Sequence, residues 1–301
     1  MMLADEIIQN ETIRTVLGEK GFTDLSMRIK MATRFVLDPG FVEATDSLDS
    51  GTREQLSRLI PFCKVPYERC WFEFSNRHRL SWIAMPHDDT RVALAPNRNI
   101  TRVGYLFEPF GTKGDSVITL FWQILDSEIS FSVFGHVFND EEKRKLTEDI
   151  RHNRDNVSLY YIAPWANQMV AMMKKNNLFE GYCKETEGDW GGEYHFAIAM
   201  LALLNTKNVA AQNFVDKSEL NLKRVRQNRL PLFSHYTLKI SRHMTEQIKV
   251  ASGQQIAKGG IRAHFVRGHW KQRKSGIFFW HPFPRGNRDI GIIKKDYLIK
   301  A

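Results

Sequence analysis

The stretch His264–Trp270, HFVRGHW, with the basic turn and FFWHPFPRGN that follow it, gathers the side chains best suited to act on a phosphate. Read as one strand, its alternation sets Phe265, Arg267, His269 and Lys271 on a single face. An arginine, a histidine and a lysine together can grip phosphates, the guanidinium in a bidentate fork and the imidazole with a switchable charge. The same set can cleave RNA without a metal: His264 or His269 would move the proton and Arg267 would steady the charged transition state. Gly268 lets another backbone come close. Arg273 and Lys274 extend the charge, while Trp270 and Trp280 are candidate platforms for stacked bases. Phe278, Phe279 and Trp280 have an equally ordinary use in cross-strand packing.

A second basic element precedes this one. Asp216 and Glu219 form a candidate capping box for a helix DKSELNLKRVRQNR that ends before Pro231. Lys223, Arg224 and Arg226 lie close together on it and can rest on a phosphate backbone.

Other chemistries lack their residues. There is no GxxxxGK[ST], and no GxGxxG after a strand. His264 and His269 do not have a zinc spacing, and Cys63, Cys70 and Cys183 form no CxxC pair, so we expect reduced buried thiols, no metal and no cofactor. Glu68, Glu73 and Asp88-Asp89 are acids of the kind common in strands and turns. Asp189-Trp190-Gly191-Gly192-Glu193 reads as a turn and cap before a helix.

The elements that must position these residues follow from periodicity. Residues 3–37 predict two helices with a break at Gly21. A short helix follows over 52–60 and closes at Pro61 and Pro66. From Tyr67 the runs CWFEFS, RLSWIAM, RVGYLFEPF, DSVITLFWQIL and EISFSVFGHVF alternate as strands and predict an antiparallel aromatic sheet over 67–138. Asn139 with three acids behind it starts a helix to about Arg154, and another spans 164–176. Glu193–Leu204 is apolar nearly all round, which predicts a buried helix. After the basic helix, FSHYTLKIS, IRAHFVRGHWKQ, IFFWHPF and IGIIKKDYLI predict a small basic β-meander. The fold class is α+β, the sheet packed by helices.

Charge divides the chain more sharply than composition does. The net charge is +9, but residues 216–301 hold 19 Lys or Arg against 5 Asp or Glu, and residues 1–215 hold 24 against 29. A mildly acidic body over 1–215 joined to a basic module over 216–301 is an electrostatic footprint for a polyanion. No run is long and apolar enough to span a bilayer, and the first twenty residues lack a signal pattern, so the expected location is the cytoplasm.

The blocks AMLALLNTKNV, LNLKRVRQNRLPLFSHYTLKI and HFVRGHWKQRKSGIFFWHPFPRGN…GIIKKDYLI resemble a family of uncharacterised bacteriophage and prophage proteins. VPYERCWFEF and RVGYLFEPF are similar to its front half. The motif HxxRGHW, here His264, Arg267, Gly268, His269 and Trp270, also resembles the C-terminal end of a type V anti-CRISPR family, whose members interfere with production of the effector nuclease during translation. The resemblance implies a phage origin, action in the host cytoplasm and proximity to RNA or ribosomes. Three functions are therefore expected: RNA or ribonucleoprotein binding through the basic module, modulating host or defence gene expression; metal-independent RNA cleavage; or capture of a host or defence protein by the acidic body.

Overall fold

The aromatic runs between Cys70 and Phe138 become the centre of an eight-stranded sheet. The computed structural model describes residues 1–51, 53–79, 100–111, 115–124, 128–151, 160–207, 209–240, 262–266, 269–280, 283–285 and 287–292. Nearly all of RLSWIAM, together with Asp88-Asp89, lies outside that set. Contacts group Met1–Leu203 with Gln212–Lys239 as one unit, and Leu204–Ala211 with Ile240–Ala301 as a second. The basic helix groups with the first unit, so the boundary drawn by charge at residue 216 is not the boundary drawn by contacts.

In the first unit, helices α1 (Leu3–Ile7) and α2 (Glu11–Met31) lead into strand β1 (Thr33–Leu37). The side chain of Asn10 starts α2 by accepting from the Ile13 amide at 2.9 Å. The helix breaks at Gly18, whose φ of 69° suits glycine, and not at Gly21 as expected. Gly21 is small for another reason: a Cβ there would lie 2.4 Å from the Trp165 carbonyl oxygen. Residues 33–37, expected to be helical, are a strand because both neighbours in the sheet are supplied by distant parts of the chain.

Helices α3 (Pro39–Gly51) and α4 (Arg53–Leu59) carry the chain from β1 to β2 (Cys70–Ser75), which pairs parallel to β1, as a crossover of that length permits. Strands β3 (Ile100–Pro109), β4 (Ser116–Ile124), β5 (Ile129–Phe138) and β6 (Tyr160–Ile162) then continue from β2, each antiparallel to the last. This is the antiparallel sheet expected over 67–138. Beyond β1 lie β8 (His235–Ile240), parallel to it, and β7 (Ala210–Val215) at the edge.

Helices cover both faces, which is why β4 and β5 are buried at almost every position instead of alternating. On one face Trp71, Phe121, Phe131 and Trp165 pack ring against ring at centroid distances of 5.2–5.9 Å beneath α1 and α2, tilted, stacked and edge-on in turn. Gly104 leaves room for the Trp71 ring, whose nearest carbon would come within 2.6 Å of a Cβ there. On the other face Phe74 stacks on Phe196 of helix α7 (Phe179–Asn205), ring to ring at 4.8 Å. Between β5 and that helix run α5 (Asp140–Arg151), started by Asn139 accepting from the Glu142 amide at 2.8 Å, and α6 (Asn167–Lys175).

His136 of β5 is buried at 2% exposure, and burial pushes its pKa from 6.5 down to about 3. The unfolded chain takes up this proton below about 6.5 while the folded chain does not, so His136 costs stability as pH falls from 6.5 towards 3. The limiting slope is about 1.4 kcal/mol per pH unit. Urea unfolding across this window is expected to show that slope flattened in His136→Phe.

The second unit contains strands β9 (Arg262–Val266), β10 (His269–Arg273), β11 (Gly276–Trp280), β12 (Phe283–Arg285) and β13 (Asn287–Ile292). β10 and β11 form an antiparallel hairpin. β9 is the middle of a three-stranded sheet, antiparallel to β12 and parallel to β13. Among the described residues, no helix is long and apolar enough to cross a membrane.

Candidate nucleic-acid interface

The β10–β11 hairpin turns through Lys274-Ser275, with Arg273 opposite Gly276. Gly276 sits at φ 128°, a conformation that side chains other than glycine rarely adopt. Register then fixes two faces. Trp270 lies opposite Phe279 and their rings meet at 4.8 Å, while Ile277, on the same face, is buried. The other face takes Lys271, Arg273, Phe278 and Trp280, and His269 stands opposite Trp280 in the register.

That second face interleaves cations with rings. The Lys271 ammonium lies 4.4 Å from the Trp280 ring centroid, and the Arg273 guanidinium lies 5.7 Å from Trp280 and 5.9 Å from Phe278. Lys271, Arg273, Lys274 and Trp280 are exposed. Each cation over a ring is held by about 0.5–1 kcal/mol at an exposed site, enough to bias its position while its N–H donors stay available. Cationic donors and an exposed indole are the two kinds of group that single-strand-binding proteins in general use, one for phosphate and one for a base.

A third cation arrives from elsewhere in the chain. The Lys207 amide donates to the Ile277 carbonyl at 3.0 Å, and its ammonium donates to the Ser275 carbonyl. Its side chain runs across Gly276, with Cε 3.1 Å from where a Cβ would sit, and its ammonium is 5.7 Å from the Phe278 centroid. Sequence reasoning does not find Lys207, which is one lysine in a polar turn 68 residues before Ser275.

The expected single strand through Phe265, Arg267, His269 and Lys271 is instead two strands with different partners. β9 ends at Val266 and pairs with β12 and β13, placing His264 opposite Arg285; β10 begins at His269. Arg267 and Gly268 lie outside the described residues. The structure therefore brings together His269, Trp270, Lys271, Arg273, Lys274 and Trp280 on one hairpin.

The other basic candidates, Lys223, Arg224 and Arg226, sit on helix α8 (Ser218–Arg226) of the first unit. Arg224 serves the fold, since its Nε donates to the Leu230 carbonyl at 2.7 Å and pins the return of the chain. Asp216 accepts from the Ser218 amide at 2.9 Å, in place of the expected exchange with Glu219.

Two acids of the body, Glu73 and Glu193, are engaged internally. Glu73 accepts from the Leu3 and Ala4 amides at 3.1 and 3.2 Å and from the Trp71 indole at 2.8 Å, anchoring the start of α1. The segment 189–193, expected as a turn, lies inside α7, where buried Glu193 pairs with Arg79 and accepts from the Tyr105 hydroxyl at 2.6 Å. Burial pushes the thiols of Cys63 and Cys70 up to about 12 each, so neither supplies a thiolate near neutral pH. Among the described residues no three His, Cys, Asp or Glu side chains are placed to hold a metal ion.

No protein-family model matches the chain, and no curated protein matches it. Among solved structures it is similar to that of AcrVA2, with 9% sequence identity and a TM-score of 0.32 over 94% of this chain and 84% of that one. At that score the likeness does not establish a common fold.

Proposed function

We propose that this protein is a phage-encoded accessory factor that binds single-stranded RNA, free or within a ribonucleoprotein, and so modulates host or defence gene expression. The observation that carries the reading is the exposed hairpin face on which Lys271, Arg273 and Lys207 are ordered around Phe278 and Trp280. The cations take phosphates and Trp280 takes a base. The surplus of 19 basic over 5 acidic residues in 216–301 supports a polyanionic partner, and the HxxRGHW likeness supports the phage setting.

Fluorescence anisotropy with a labelled single-stranded RNA tests it. Trp280→Ala is expected to weaken binding by the value of one stacked base, ~1–3 kcal/mol, or roughly 5- to 150-fold. Trp280→Phe should recover part of the loss. Equal affinity in the wild-type and Trp280→Ala proteins would remove the hairpin from the RNA site.

A further inference from the structure

Helix α8 buries none of its residues, yet it carries Leu220, Leu222 and Val225, which are 43%, 65% and 59% exposed. A helix of nine residues is too short to stand alone in water. It is held from its other side. Asn221 and Leu232 exchange two hydrogen bonds of 2.7 and 2.8 Å, and the Lys217 amide donates to the Ser234 hydroxyl at 3.0 Å. Asn228, at φ 54°, then turns the chain back. The result is a braced finger between β7 and β8. Its outer side places Leu222 next to Val225, one turn apart, with Arg226 and Lys223 along one flank and Glu219 between those two. Covering Leu222 and Val225 together would gain the apolar burial that their present exposure forgoes.

We infer that this finger docks against an acidic amphipathic helix of a partner protein. Nucleic acid would use the cations and leave Leu222 and Val225 in water. A second copy applying the same face would bring Lys223 and Arg226 of both chains together with only one Glu219 from each to offset them. A helix with an apolar stripe edged by glutamates satisfies both parts of the surface.

The test uses the full chain and a labelled synthetic helix of ~20 residues, long enough to be helical, with leucines at i, i+3, i+4 and i+7 flanked by glutamates. Saturable binding is expected, weakened about tenfold or more in Leu222→Asp, weakened in Arg226→Glu, and absent when the peptide's glutamates are replaced by lysines. None of these positions is buried, so thermal unfolding should not change. Three results would overturn the inference: no binding at about millimolar peptide, equal binding by Leu222→Asp, or a sedimenting dimer of the free chain that Leu222→Asp dissolves. RNA binding by the hairpin should be unaltered in Leu222→Asp, which separates failure here from failure of the RNA reading.

Discussion

Glu193→Ala is expected to destabilise the first unit by about 3–5 kcal/mol, the largest effect of any single substitution considered. Arg79 is 2% exposed and Glu193 5%. Removing the carboxylate takes the nearest acidic partner from a guanidinium buried in the core. Asp46 lies 3.9 Å from Arg79 Nε, but the tight contact to Glu193 is gone. Tyr105 loses its acceptor in the same step. Burial raises the Tyr105 pKa well above 10, with the Glu193 charge adding to it, so the phenol stays protonated and remains a donor. The ring of Phe196, 4.3 Å from the Arg79 guanidinium, cannot replace a carboxylate. Chemical denaturation should show the loss as a shift in midpoint. Glu193→Gln, which keeps an acceptor for the Tyr105 hydroxyl and for Arg79, should cost less than Glu193→Ala. A loss below about 1 kcal/mol would mean that the cluster is not the buried pair described.

The second large effect concerns charge on the hairpin. Reversing Lys271 and Arg273 to glutamate is expected to reduce RNA affinity by roughly two orders of magnitude or more at moderate salt. On the proposed reading two phosphate contacts would become repulsions, and the cation–ring contacts to Trp280 would be lost at the same time. Both side chains are exposed, so the thermal midpoint should change little. RNA affinity is the readout, with integrity of the recovered RNA checked alongside. RNA shortened by the wild-type protein but intact with His269→Ala would move the assignment from binding towards cleavage.

The strands of the central sheet are readable because each is a short aromatic or β-branched run whose neighbours in sequence are also its neighbours in the sheet. CWFEFS, RVGYLFEP and SVITLFWQI pair in chain order. Thr33–Leu37 is not readable as a strand, since its partners, Cys70–Ser75 and His235–Ile240, lie far along the chain. The start of α7 is hidden by Gly188, Gly191 and Gly192, residues that ordinarily end helices. Here tertiary packing of Glu193 and Phe196 overrides local propensity. At the candidate site, the sequence offers residue types without their faces. HFVRGHW reads as one strand and folds as parts of two, because strand ends depend on partners supplied by β11, β12 and β13. Lys207 has no local mark at all. On the basic helix the charge is plain in the sequence, but the exposure of Leu222 and Val225 depends on which side Asn221 binds.

The most direct test of RNA binding through the hairpin is the salt dependence of the association constant for single-stranded RNA, measured on the full wild-type chain and on Lys271→Gln/Arg273→Gln. The wild-type logarithmic slope should be near −0.7 per phosphate neutralised, so about −2 if Lys207, Lys271 and Arg273 act together, and the double variant should lose about 1.4 of that. A slope near zero, or the same slope in both proteins, would contradict the assignment of RNA binding to this hairpin.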